Sequence, residues 1–197
     1  MNKTFKLACI GLLTALSIVA NLATIALYQS NSMSFTIAVC FFAGIYFGAP
    51  VAAVVGFTGD LIAHIILANG PYNWFIALST TLFGVICALV YKLKLPKLLN
   101  LAIASAICFV VCICGLNTFG LWIYYVAKVP PTPLGLVQLF TMDKSTITKS
   151  FWAYLAIRLP WSTINIVVNA VVVGGIQQSG VIQKLMKRVL NNNEISD

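Results

Sequence analysis

Long apolar runs broken by short polar turns dominate the chain. Their lengths predict helices over residues 5–28, 35–46, 50–68, 74–91, 98–126 and from 150 to 176 or beyond. A helix needs about 20 apolar residues to cross a bilayer, so the run 35–46 predicts a short or tilted helix and the others full spans. The runs are continuous, unlike the alternating segments of about 10 residues that build an outer-membrane barrel. Gly48, Ala49 and Pro50 separate the second helix from the third, and Pro50 suits a first helical turn, where its missing N–H needs no partner. A turn over 69–73 joins the third and fourth helices. A loop with Pro130, Pro131 and Pro133, carrying a short apolar patch over 134–140, precedes the last one. The ending over 184–197 reads as amphipathic and then polar.

Composition turns this pattern into a class. Sixty per cent of the 197 residues are hydrophobic and 8% charged, with a mean hydropathy of +0.97, which excludes a water-soluble domain of this size. The expectation is an all-α integral membrane protein, a bundle of six transmembrane helices forming one domain over 1–197. Lys3 and Lys6 ahead of an apolar run also suit a signal peptide. No small-x-small cleavage site followed by a polar start is visible, however, so the run is read as the first helix. Lysine and arginine bias orients the bundle: with the N-terminus cytoplasmic, Lys3, Lys6, Lys92, Lys94, Lys97, Lys184, Lys187 and Arg188 lie inside, against Lys128, Lys144 and Lys149 outside. Both termini are then cytoplasmic. The net charge of +8 reads as a basic cytoplasmic face and needs no nucleic-acid partner.

Candidate chemistry centres on charges within the apolar runs. Asp60 lies deep in the third helix with His64, the one histidine, a turn later, and Arg158 is the one arginine within a predicted span. A charge at the centre of a membrane helix costs roughly 2.5–3.5 kcal/mol on insertion scales, so such residues are functional-site candidates. Pairing Asp60 with Arg158 would satisfy both, as a packing contact or as part of a site. Asn165 and Asn169 follow Arg158 near one helical face. Asn117, Tyr72, Asn73, Trp74, Phe75 and Trp122 add hydrogen-bonding and stacking groups toward the same side, though tryptophan and tyrosine also gather at bilayer interfaces for amphipathic reasons alone. Few polar groups among several aromatics suit a small-molecule pocket, here with a planar ring on the aromatics and an anionic end on Arg158. A channel, the competing class, requires a polar stripe through the whole bilayer. Asp60 and His64 do not complete a metal site or a catalytic centre, and no phosphate-binding GxxxxGK[ST] loop occurs. The six cysteines lie in apolar runs without a C-x-x-C pair and read as small buried hydrophobes.

The ordered set of Phe47 to Pro50, Asp60, the Gly70-Pro71-Tyr72 turn and the run from Phe75 through Leu78, Ser79, Leu82 and Gly84 to Tyr91 carries a resemblance. Together with Trp152, the run Leu155 to Leu159 and Asn169, it resembles the substrate-binding S components of energy-coupling factor (ECF) vitamin transporters, with the folate-type group nearest. The chain departs from that group's pattern in its Gly-Pro-Tyr-Asn-Trp turn, in Asn21-Leu22 at the outer end of the first helix, and in a long loop over 128–149. The resemblance implies a non-enzymatic subunit of the bacterial plasma membrane that binds folate or a related pterin from outside. Thiamin, riboflavin, pantothenate or a queuosine precursor are the alternatives. It further implies assembly with a transmembrane coupling protein (T component) and two ABC ATPases, which hydrolyse the ATP, so that no cofactor belongs to this chain. Gly11 and Ala15 match the place of the family's docking motif on the first helix. Small residues four apart allow close helix approach, and Ala52 and Gly56 offer a second such surface on the third helix.

Overall fold

The computed structural model describes residues 3–26, 32–67, 71–93, 95–132 and 144–180. Helix α1 spans Lys3–Leu22, α2 Thr36–Phe47, α3 Ala49–Leu67 and α4 Trp74–Val90, the last closed by a 3₁₀ turn at Tyr91–Leu93. A single rod follows: α5 (Lys97–Cys108), a π-helical segment (Phe109–Asn117) and α6 (Thr118–Tyr125), and then α7 runs over Lys144–Ser179. Among the described residues, four helical stretches can cross a membrane by length and composition: Ala49–Leu67, Trp74–Leu93, Lys97–Tyr125 and Ser150–Ser179. Leu7–Leu22 and Thr36–Phe47 are shorter apolar helices.

Three features differ from the sequence reading. The first helix stops at Leu22 instead of continuing to 28. Thr24 turns back onto it, its hydroxyl and N–H both bonding the Asn21 carbonyl, and Ile25–Ala26 then pairs antiparallel with Ser32–Met33. The apolar character of Ile25 and Ala26 hid this turn, because hydropathy does not separate a helix end from a short hairpin. The last helix begins at Lys144, ahead of the predicted 150. The rod from Lys97 to Tyr125 is not uniformly α-helical. The turn residues Asn69 and Gly70, the patch 134–140 and the ending 184–197 lie outside the described residues.

Close backbone approach holds the α1 to α4 half together. Lipid tails are as apolar as leucine, so helices in a membrane associate through tight packing more than through the hydrophobic effect. A Cβ added to Gly84 of α4 would meet Ala52 at 2.5 Å and the Cys40 carbonyl at 2.6 Å, and one on Gly56 of α3 would meet the Thr80 carbonyl at 2.7 Å. Gly44 approaches the Gly84 carbonyl and Gly59 approaches Ser17 in the same manner. Gly48, at φ +87°, makes the reversal between α2 and α3 that residues with a side chain rarely adopt. Around these seams α3 packs on α1, α2 and α4, while α7 packs on α2, α5, α6 and the π-helical segment. A core of Cys40, Phe41, Cys87, Cys108, Cys112 and neighbours fills the space between α2, α4, α5 and α7. Cys9 and Cys114 are only half-buried, the other four cysteines fully so.

Candidate functional site

At one end of the bundle, where α1 finishes and α2 and α4 begin, the core turns polar. A cavity of about 110 Å³ lies there, walled by Asn21, Thr24, Ser34, Thr36, Asp60, Thr80, Asn117, Arg158, Trp161, Ser162 and Asn165, with Ile37, Ile76, Phe83 and Ile113 as its apolar lining. Six helical elements contribute, α1 to α4, the π-helical segment and α7, and several place their polar residues by a local irregularity or a helical repeat. Thr24 arrives because α1 breaks. Ser34 and Thr36 arrive because the start of α2 is tied to α1: the Ser34 hydroxyl donates to the Ala20 carbonyl at 2.9 Å and lies 2.7 Å from the Thr36 hydroxyl. Asn117 closes the π-helical segment, whose carbonyls find side-chain donors at Ser79 (3.1 Å to Cys112) and Thr118 (2.8 Å to Ile113). Such π-bulges occur frequently at functional sites. On α7, Arg158, Ser162 and Asn165 share one face at helical spacing, and Pro160 lies inside the helix among them.

The two membrane charges both line this cavity. Asp60 accepts a hydrogen bond from the Tyr72 hydroxyl at 3.2 Å. Burial, and the Asp60 carboxylate beside it, hold the Tyr72 phenol above its ordinary pKa, so it remains a donor. Arg158, 5% exposed, donates to the Thr118 hydroxyl at 3.4 Å and stands 5.7 Å over the Tyr154 ring. On the Asp60 side the described contact is the Tyr72 hydroxyl. Two amides are incompletely used: Asn21 Nδ2 and Asn117 Oδ1 are buried without a hydrogen-bond partner in the described structure. A buried polar atom left unsatisfied costs about 1–3 kcal/mol, and both residues belong to the cavity lining.

Of the residues singled out from the sequence, Asp60, Asn117, Arg158 and Asn165 line the cavity. Asn169 lies beneath it, completely buried. Its carbonyl oxygen accepts from the Ala38 N–H at 2.9 Å while its amide donates to Ser34 and Asn165, which makes it the clamp between α7 and the start of α2. Asn73 is a helix cap: its oxygen accepts from the Phe75 and Ile76 N–H groups, and its nitrogen donates to the Gly120 carbonyl at 2.9 Å, tying α4 to α6. Phe75 and Trp122 pack in an aromatic cluster with Phe119 and Phe151. Trp74 is half exposed and touches Tyr72 edge-on, and His64 meets the other side of that ring at 5.0 Å. Those six form the frame beside the cavity, not its wall. The sequence reading missed Trp161 and Ser162, although both follow Arg158 at helical spacing. It also missed Thr24, Ser34 and Thr36, which no helical pattern reveals because a hairpin brings them in. Asn21 stood out only as a departure from the family pattern.

The small-residue surfaces divide as well. Gly11 and Ala15 lie on the exposed face of α1 among Leu12, Leu16 and Val19, and a Cβ on Gly11 would meet nothing within 4 Å. Ala52 and Gly56 correct the sequence expectation: both are buried in the seam with α4, where Gly84 and Thr80 occupy their faces. Among the described residues no three His, Cys, Asp or Glu side chains gather as metal ligands.

A family model for the ECF transporter substrate-specific component matches residues 5–176, nearly the whole chain. The chain belongs to this family. Comparison with the curated proteins gives no match. As an S component it is a multi-pass membrane subunit of a transporter, of a family that binds vitamin-type ligands and works with a T component and ATPases. The polar cavity between α1, α2, α3, α4, the π-helical segment and α7 is its candidate ligand site.

Proposed function

We propose that this S component binds a vitamin in the polar cavity, with an anionic group of the ligand on Arg158 and a planar part against Trp161. The observation that carries the reading is the pair of unsatisfied amides, Asn21 and Asn117, facing one void together with Arg158. Folate or a related pterin is the ligand the family resemblance favours. Its ring edge offers donors and acceptors suited to two amides, and its carboxylates suit a guanidinium. A second reading, a smaller vitamin such as thiamin or pantothenate, is favoured by the cavity volume of about 110 Å³, since drug-sized ligands occupy sites of roughly 300–1,000 Å³. Folate requires the wall to part, and the smaller ligands require less.

In this reading six helices span the membrane with both termini in the cytoplasm, and the cavity opens outward. The exposed α1 face around Gly11 and Ala15 docks on the T component, whose two ATPases supply the energy. Equilibrium binding to the purified protein tests the ligand, with folate, thiamin, riboflavin, pantothenate and a queuosine precursor in parallel. Sub-micromolar folate binding is expected. Tight binding of another vitamin and not folate moves the assignment to that vitamin, and binding of none overturns the proposal.

A further inference from the structure

On the outer side of the bundle, away from the polar cavity, α5 and α7 leave between them an apolar groove of about 620 Å³. Leu98, Ala102 and Phe109 form one wall, and Val167, Val171 and Gly175 contribute to the other. From Leu98 to Phe109 the α5 wall rises roughly 16 Å at 1.5 Å per residue, which is about half of a hydrocarbon core near 30 Å thick. The groove therefore has the length of one leaflet. Its floor closes where the helices touch, since a Cβ on Gly174 would lie 3.4 Å from Leu101 and 3.9 Å from Leu98. Gly175 faces open space, with nothing within 4 Å of its would-be Cβ.

Charge marks one end of the groove. The Gly174 contacts place the last turns of α7 beside the first turns of α5, so Lys97, the first residue of α5, stands at that end. Lys92 precedes it across a short turn held by the Tyr91 hydroxyl, which bonds both the Lys97 carbonyl and Gln177. Lys92 and Lys97 are exposed, and the stretch 91–97 holds three lysines and no acid. A basic cluster at the end of an apolar trough complements a lipid with a negative headgroup. A whole helix, about 10–12 Å wide with its side chains, fits poorly over a floor where α5 and α7 already touch.

We propose that this groove holds an acyl chain of an anionic phospholipid whose phosphate is met by Lys92 and Lys97. The site is separate from the vitamin cavity and does not depend on its assignment. Native mass spectrometry of the full-length protein in detergent, with phosphatidylglycerol and phosphatidylcholine of identical chains, tests it. Phosphatidylglycerol should be retained at least fivefold more than phosphatidylcholine. Gly175→Phe should fill the groove and cut retention at least fivefold with an unchanged thermal midpoint. Ala102→Phe does the same from the opposite, exposed wall should the first variant fold poorly. The double variant Lys92→Gln/Lys97→Gln should lose only the preference for the anionic lipid, and Lys128→Gln should keep it. Equal retention of the two lipids, or full retention in both groove-filling variants, overturns the proposal. So does a dimer that either filling variant abolishes, which would give the groove to a second copy of the chain.

Discussion

The packed glycine seams of α1 to α4 and the polar cavity beside them use small and polar residues for opposite purposes. Along the seams at Gly44, Gly56, Gly59 and Gly84, the missing side chains let backbones touch, and every space is taken. In the polar cavity, asparagine and threonine side chains surround a void, and two of their amide atoms have no partner. A filled seam fixes the helices, whereas a polar pocket with unpaired amide atoms offers the hydrogen-bonding groups that the proposed ligand would use. Helices α1 to α4 contribute to both regions, so a substitution in them should disturb either folding or binding according to which face it touches.

The largest effect is expected at a seam. Gly84→Leu drives a side chain into Ala52 and the Cys40 carbonyl, beyond the roughly 1–3 kcal/mol typical of overpacking. Size-exclusion chromatography should find little monodisperse protein; a well-folded Gly84→Leu would break the distinction between the two regions. Next comes Arg158→Ala, which should weaken ligand binding by about a hundredfold, consistent with roughly 1.5–3 kcal/mol for a hydrogen bond to a charged group, while leaving the protein folded. Unchanged affinity would return Arg158 to a packing role. Asn169→Ala sits on the border: it orphans the Ala38 N–H and the Ser34 carbonyl, so the unfolding free energy should fall by about 1–3 kcal/mol, with affinity falling only as the start of α2 loosens. Asn117→Ala should cost about tenfold in affinity, the equivalent of roughly 1.4 kcal/mol, and little stability, because its amide oxygen has no partner to lose. A larger loss of stability than of affinity there would show that the amide serves the fold. The smallest effect on binding belongs to Gly11→Leu, on the open face of α1. Ligand affinity should stay unchanged while assembly with the T component declines, and equal loss of both would contradict docking at that face.

How far the sequence announced these regions follows from the signals available. Helices long in apolar residues were legible at α3, α4 and the α5–α6 rod to within a few residues, since hydropathy reports them directly. The end of α1 was not, because Ile25 and Ala26 are as apolar as the helix before them and only pairing with Ser32–Met33 reveals the turn. Asp60 and Arg158 announced themselves as charges in apolar runs, and both line the cavity. The aromatic turn was the misleading signal: Trp74 faces outward, and Phe75 and Trp122 serve the aromatic core. Trp161, beside Pro160 on the same helix as Arg158, was the ring at the cavity. Aromatic content alone does not say which rings stack on one another and which remain available, and that depends on contacts between α4, α6 and α7.

Trp161 also gives the most direct test of ligand binding in the cavity. The protein has four tryptophans, Trp74, Trp122, Trp152 and Trp161, and only Trp161 lines the void. Titration with the vitamin that binds should produce a saturable change in tryptophan fluorescence that disappears in Trp161→Phe and persists in Trp74→Phe. A signal that survives in Trp161→Phe and vanishes in Trp74→Phe would place the ligand at the aromatic turn and contradict this account of the site.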